Sequence, residues 1–198
     1  MYKRLLVVTF TLIMLCALLT FLPIHSEAEI YDSVIRLHVI ANSDSEIDQD
    51  LKLAVRDEIL KSASSMLEGC STREQAIERV SDSLCTIEER AADLLADMGY
   101  PYSVNVELSE EEYPMKNYEG FCFPSGEYLS LRVNIGEAQG QNWWCVLYPP
   151  MCLSAASESE AIAQVGLTDA QYSMITETEG AKYKVRFKIL EAIEKAVK

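Results

Sequence analysis

The first 28 residues constrain the chain most, because they decide in which compartment the rest folds. Two basic residues near the start precede an uncharged, predominantly apolar run from Leu5 to Leu22. Small residues, Ser26 and Ala28, then occupy the positions that a signal peptidase reads. This order of features is typical of a secretory signal. We predict that residues 1–28 are a signal peptide that is cleaved after Ala28.

The alternative is that the same segment is retained as a membrane anchor. Its apolar run of about 18 residues is long enough to span a bilayer. In both cases Lys3 and Arg4 stay on the cytoplasmic side, because positive flanks remain inside. Residues 29–198 are therefore expected to be exported, with membrane contact only through the N-terminal segment if it is uncleaved.

The charge and size of the exported part exclude several classes of protein. The chain of 198 residues carries a formal net charge of -14. Binding to nucleic acid depends on basic side chains that neutralise phosphates, so this acidic chain is not expected to bind it. Residues 29–198 have the length of one ordinary domain, and no linker divides them.

Apolar alternation predicts that the exported part begins with a strand over 33–40. Ile35, Leu37 and Val39 fall on one face of this strand, with Arg36 and His38 on the other. A run of small polar residues from Asn42 to Ser45 follows, including Asp44. Residues of this type satisfy free backbone N–H groups at the start of a helix.

Two helices are predicted next from apolar stripes of helical period. The first begins with Ser45 and Asp48 as a capping box and buries an apolar stripe. The members of that stripe are Ile47, Leu51, Ala54, Val55, Ile59, Ala63 and Met66. The second begins at Thr72, where Gln75 completes a capping box, and is stopped by Gly99.

After Gly99 the apolar period changes to two, which predicts several strands. These strands cover 102–108, 113–118, 129–135 and 143–148. Glu110-Glu111-Glu112 is interpreted as a solvated turn. Residues 154–180 are poorly defined, with a short helix near 158–164, and an amphipathic helix closes the chain. The order, roughly β-α-α-β-β-β-β-α, predicts one α+β domain with an antiparallel or mixed sheet and helices packed on one face.

The exported part contains a single histidine, His38, so histidine-rich zinc sites and histidine dyads are excluded within one chain. No phosphate-binding loop or hydrolase motif is present. We therefore predict no catalytic residue, metal site or cofactor. The alternative is a secreted hydrolase, acting in the cell wall or intermembrane space, that uses His38 with Asp44 or Cys145.

Cys145 and Cys152 flank the bend at Pro149-Pro150, which can return them to contact. A disulfide between them is plausible outside the cytoplasm, and two buried free thiols are the alternative. Trp143 and Trp144 are adjacent in a predicted strand, so their side chains point to opposite faces. An exposed tryptophan beside Tyr148 makes an interaction hot spot, unless a second layer covers it.

The sequence contains several unusual strings, including IRLHVIANSDS over 35–45, PSGEY over 124–128, GQNWWCVLYPPMC over 140–152 and VRFK over 185–188. These strings resemble the stage II sporulation protein R family of endospore-forming bacteria. The resemblance covers about 33–153 and the last helix. Cys70, Cys85 and Cys122 are not part of the family's pattern.

The resemblance implies a role between two compartments. Family members are exported from the forespore into the space between the forespore and mother-cell membranes. There they trigger a membrane-embedded aspartic protease, stage II sporulation protein GA, which processes pro-sigma-E. The partner protease performs the chemistry, so the chain itself is not expected to be an enzyme. A purely structural protein of the septum is a further alternative.

This role requires a contact surface, for which the sequence offers two candidates. One is the polar corner with Arg36, His38, Asn42 and Asp44, and the other is the strand with Trp143, Trp144 and Tyr148. The polar corner has a second interpretation, in which it only caps the helix and fixes the turn.

Overall fold

A computed structural model describes residues 2–20, 30–118, 121–151 and 167–176 of the chain. Its helices are α1 (Tyr2–Thr20), α2 (Glu46–Met66), α3 (Arg73–Asp97) and α4 (Asp169–Thr176). Its strands are β1 (Ile35–Ile40), β2 (Val104–Tyr113), β3 (Lys116–Tyr118), β4 (Phe121–Phe123), β5 (Gly126–Ile135) and β6 (Asn142–Tyr148). Within these ranges, no helix is both long enough and apolar enough to cross a membrane. Cleavage after Ala28 stays a prediction, because that position lies outside the described residues.

Four strands form a mixed sheet in the order β2-β5-β1-β6. Strand β1 runs parallel to β5 and antiparallel to β6, and β2 runs antiparallel to β5. Between β1 and β5 the chain forms α2, α3, β2 and the β3–β4 hairpin, so a long crossover joins the parallel pair. The predicted α+β class is confirmed. The sequence predicted an antiparallel or mixed sheet, and the sheet is mixed.

The alternation predicted for β1 is confirmed, and it separates the two faces of the sheet. Ile35, Leu37 and Val39 lie in the core that the sheet forms with α2 and α3, and we call this side the helix face. Arg36 and His38 point to the opposite side, which we call the arginine face. All six residues of β1 are buried, so both sides of this central strand are covered.

Both long helices start where the capping residues predict. The Ser45 hydroxyl accepts a hydrogen bond from the Asp48 backbone N–H at the start of α2, and Thr72 does the same for Gln75 at the start of α3. The predicted apolar stripe is wrong at Ile47, which is 52% exposed. Asp48 takes the buried position in that turn, because its carboxylate is bonded to residues of the preceding loop.

The arginine face is covered by the β3–β4 hairpin and by α4. A second cluster of buried apolar residues fills the space between them, and Phe123, Val146 and Ile175 belong to it. Helix α4 contacts β4 on this side. The predicted packing of helices on one face holds for α2 and α3, whereas α4, which the sequence did not predict, lies on the arginine face.

The strands differ from the prediction mainly in the extent of β2. This strand continues through Glu110, Glu111 and Glu112 to Tyr113, in register with β5. The predicted solvated turn is wrong, because these residues pair with β5 along their whole length. The predicted helices near 158–164 and at the end of the chain lie outside the described residues.

Candidate functional site

A buried arginine is the centre of the arginine face. Arg36 is fully buried, and its guanidinium carbon lies 4.3 Å from the ring centroid of Tyr113 and 4.9 Å from those of Phe123 and Tyr128. The ring of Tyr118 lies 5.9 Å away. We call these four rings the aromatic cage. Negative π faces attract a cation strongly when water is excluded, so the cage stabilises the charge of Arg36.

Two hydrogen bonds fix the guanidinium inside this cage. Arg36 Nε donates to the Cys145 carbonyl oxygen at 3.0 Å, and Nη2 donates to the Tyr118 hydroxyl at 2.8 Å. Among the described residues, Nη1 has no hydrogen-bond partner. The same burial raises the pKa of Tyr118, although the charge of Arg36 and its hydrogen bond act in the opposite direction. A single side chain thus joins β1, β6 and the β3–β4 hairpin.

His38 lies next to Arg36 on the same face and is also buried. Its Nδ1 is 3.1 Å from Glu111 Oε1, and its Nε2 is 2.8 Å from Asn142 Oδ1. The indole of Trp144 stacks on the imidazole, with ring centroids 3.6 Å apart. His38 therefore connects β1 with β2 and β6, and both of its ring nitrogens are engaged.

Glu111 lies between His38 and Arg132 and contacts both. Its carboxylate lies 3.4 Å from Arg132 Nη1 on β5, in addition to its contact with His38. Burial by itself raises the pKa of Glu111, but hydrogen bonds from His38 and Ser130 and the nearby charges of His38 and Arg132 outweigh it. The pKa of Glu111 therefore lies below its ordinary value. The carboxylate stays ionised between two cationic or hydrogen-bonding neighbours.

The polar corner after β1 connects its own loop with the start of α2 and with the loop after β5. Asn42 Nδ2 and the Ser43 hydroxyl donate to Asp48 Oδ2, at 2.9 Å and 2.5 Å. Asn42 Oδ1 accepts from the Glu137 backbone N–H at 2.9 Å. Hydrogen bonding from Ser43, more than any other cause, lowers the pKa of Asp48. These contacts support the interpretation that the corner caps α2 and fixes the turn.

Of the residues predicted to bind a partner, the structure places some inside and others near the surface. Arg36 and Tyr148 are buried, at 0% and 2% exposure, so they support a surface rather than form one. His38 is buried as well. Asp44 is exposed, and Trp143 and Trp144 are half-buried on opposite faces of β6. Their role in binding stays a prediction.

The catalytic pairings considered for a hydrolase are wrong. Cys145 pairs with Leu37 in the β1–β6 register, so its side chain lies on the helix face, opposite to His38. Cys145 is also disulfide-bonded, and a disulfide sulfur is not a thiolate nucleophile. His38 is bonded to Glu111 and Asn142 rather than to Asp44.

Cys70, Cys85 and Cys122 are free thiols. Cys152 lies outside the described residues, so its pairing with Cys145 stays a prediction. No group of three or more potential metal ligands is found in the described parts of the chain.

Sequence reasoning missed Glu111 and all four rings of the cage. The available signal for Glu111 was the period of β2: extending the alternation of Val104 and Val106 places Glu111 on the face opposite to them. The rings come from four different strands, and no local pattern brings Tyr118 or Phe123 to Arg36. Their meeting depends on the sheet order and on the fold of the hairpin.

These observations define a class of protein: a small α+β domain with a mixed sheet, two capped helices on one face and a caged arginine on the other. The family model of Stage II sporulation protein R (spore_II_R) matches residues 31–158 of the chain. The chain is also 34% identical, over 133 residues, to Stage II sporulation protein R of Bacillus subtilis (strain 168). The chain therefore belongs to the stage II sporulation protein R family, which confirms the resemblance found in the sequence.

The match to the Bacillus subtilis protein covers 67% of this chain and 59% of that relative. The family-model match over residues 31–158 includes β1 to β6, and therefore Arg36, its cage and the polar corner. No solved structure matches the chain. The family membership assigns the chain a role in sporulation.

Proposed function

We propose that this chain is an exported signalling protein of sporulation that activates a membrane-embedded aspartic protease, stage II sporulation protein GA. The protease then processes pro-sigma-E. The observation that carries the proposal is the family match, which extends over the whole described sheet. The proposed location is the space between the forespore and mother-cell membranes, which agrees with the secretory pattern of residues 1–28.

The chemistry of the arginine face supports action by contact rather than by catalysis. Each ring nitrogen of His38 already has an oxygen neighbour, and Glu111 is held between His38 and Arg132. A general base needs a proton within hydrogen-bond reach and freedom to accept it. In this cluster the same groups instead connect four strands, as expected of a rigid binding module.

The proposal is tested by co-expression in a host that does not sporulate. The full chain, the protease and pro-sigma-E are produced together, and cleavage of pro-sigma-E is followed on immunoblots. We expect cleavage only when both the chain and the protease are present. A version with residues 1–28 replaced by an unrelated cleavable signal should still work, because the exported part makes the contact.

Two controls separate the possible failures. Cleavage without the chain would contradict the proposal, because the protease would then need no activator. Cleavage without the protease would identify the chain or the host as the source of activity. Accumulation of the chain in the cytoplasm, with processing unaffected, would contradict the proposed location.

A further inference from the structure

The two edges of the sheet are protected to different degrees. Strand β6 lies at one edge and pairs with β1 on its inner side. From Cys145 to Tyr148 the strand is buried, whereas Asn142 is exposed and Trp143 and Trp144 are half-buried. Alternate residues of an edge strand direct their N–H and C=O groups outward. Within the described chain, no hydrogen bond reaches the outer backbone groups of 142–144.

The opposite edge, strand β2, carries the protection that natural sheets use against strand addition. The Glu88 carboxylate of α3 accepts the outward backbone N–H of Val106 at 3.0 Å. Exposed charges at Glu107, Glu110 and Glu112 follow along the same strand. Charged side chains and bonded backbone groups discourage pairing with another chain. Within the described residues, Asn142, Trp143 and Trp144 carry no charge of their own and no bonded outer backbone group, so the two edges differ in their protection.

The open part of β6 has a tryptophan and a cation on each side. The Arg56 guanidinium lies 5.1 Å from the ring of Trp143, and Lys116 Nζ lies 5.6 Å from that of Trp144. Arg56 is neutralised by Asp57 at 2.6 Å. The described residues give Lys116 no carboxylate partner, which leaves a local positive charge in a chain with a net charge of -14.

We propose that the start of β6 binds an extended segment of a partner protein, which adds to the sheet as a further strand beside Asn142–Trp144. The segment carries an acidic side chain on the arginine side, where it meets Lys116, and an apolar side chain against Trp143. Backbone hydrogen bonds supply affinity, and the pockets for alternate side chains supply selectivity. This inference goes beyond the proposed function and can be tested without the protease.

The chain's own fluorescence reports on this edge, because its two tryptophans are Trp143 and Trp144. The purified full chain in mild detergent is titrated with the peptide Thr-Val-Glu-Val-Glu-Val-Thr and with a version in which lysine replaces glutamate. We expect the acidic peptide to shift the tryptophan emission and to bind at least about tenfold more tightly than the basic one. No shift with either peptide up to millimolar concentration would overturn the proposal.

Charge reversal at the edge gives a matched pair of variants. Lys116→Glu should remove the preference for the acidic peptide, with a loss of about tenfold in its affinity. Lys61→Glu makes the same charge change at an exposed position of α2 and should leave the affinity within about twofold of the wild type. Equal affinities for both variants would contradict the proposal.

A second copy of this chain is the competing occupant of the open edge. Analytical ultracentrifugation of the full chain distinguishes it. We expect that the acidic peptide does not change the sedimentation of the chain by dissociating a dimer. A dimer that the peptide dissociates would show that β6 pairs with β6, and it would overturn the assignment to a partner segment.

Discussion

The helix face and the arginine face of the same four-stranded sheet are stabilised by different chemistry. On the helix face, side chains such as Leu131 and Val133 pack against apolar stripes of α2 and α3. On the arginine face, a caged cation and a histidine–carboxylate pair connect the strands. Apolar packing is non-directional and tolerates small shifts, whereas the polar cluster requires fixed partners. One face therefore builds the fold, and the other fixes a specific arrangement of strands.

The largest effect is expected for Arg36→Ala. This change removes the cation from four rings, leaves the Tyr118 hydroxyl and the Cys145 carbonyl without their donor, and opens a cavity. We expect a loss of about 4 kcal/mol in the free energy of unfolding, measured by urea denaturation. Arg36→Met fills much of the volume but still leaves the Tyr118 hydroxyl and the Cys145 carbonyl without their donor, so it should lose about half as much. If Arg36→Met were as stable as the wild type, the cation would not hold the arginine face.

Leu131→Ala makes the corresponding change on the helix face. Leu131 is fully buried in the main core, and its truncation removes apolar contacts without stranding a polar group. We expect a loss of about 3 kcal/mol in the same denaturation experiment. The near-ultraviolet signal of Trp144 should stay native-like in this variant but change in Arg36→Ala. The same change in both variants would contradict the separation of the two faces.

Glu111→Gln tests the ionic part of the arginine face and should cost about 1 kcal/mol at neutral pH. The pKa of Glu111 is lower in the folded chain than in the unfolded chain. Ionised Glu111 therefore stabilises the fold fully above the ordinary glutamate pKa of about 4.3. This contribution is lost as the pH falls through the pKa of the folded chain. The unfolding free energy of the wild type should therefore fall more steeply below about pH 4.3 than that of Glu111→Gln. Equal slopes would exclude this role. Asp48, whose pKa is also lowered, contributes to the slope that remains in the variant.

The smallest effect is expected for Asp44→Ala. Asp44 is exposed at the polar corner, whereas Ser45 caps α2, and Ser43 and Asn42 donate to the Asp48 carboxylate. We expect a change within about 0.5 kcal/mol in the free energy of unfolding. Because stability is preserved, the variant also tests binding: an unchanged level of pro-sigma-E processing would remove Asp44 from the candidate contact surface.

The sequence predicted the parts of the fold that local chemistry determines. Ser45 and Thr72 identified both helix starts, because a capping side chain acts on backbone groups within one turn. Alternation around Leu37 separated the two faces of β1 correctly. Glu111 was misassigned to a turn, because three consecutive glutamates conceal the period of a strand that is exposed on one side.

The candidate site was predictable only in part. Arg36, His38 and Trp144 were singled out as unusual residues, but their common surroundings were not. The cage needs Tyr118 and Phe123 from a hairpin far along the chain, and the parallel pairing of β1 with β5 brings Tyr128 beside Arg36. Such long-range contacts are set by topology, which a local pattern does not encode.

The amount of chain needed for full processing distinguishes action by binding from action by catalysis. In a reconstitution with a fixed amount of protease and pro-sigma-E, the chain is titrated and the initial rate of processing is measured. An activator that works by binding should bring the rate to its plateau only when the chain is present in amounts comparable to the protease. A full rate at a chain concentration a small fraction of that of the protease would contradict the account, because it would require the chain to turn over.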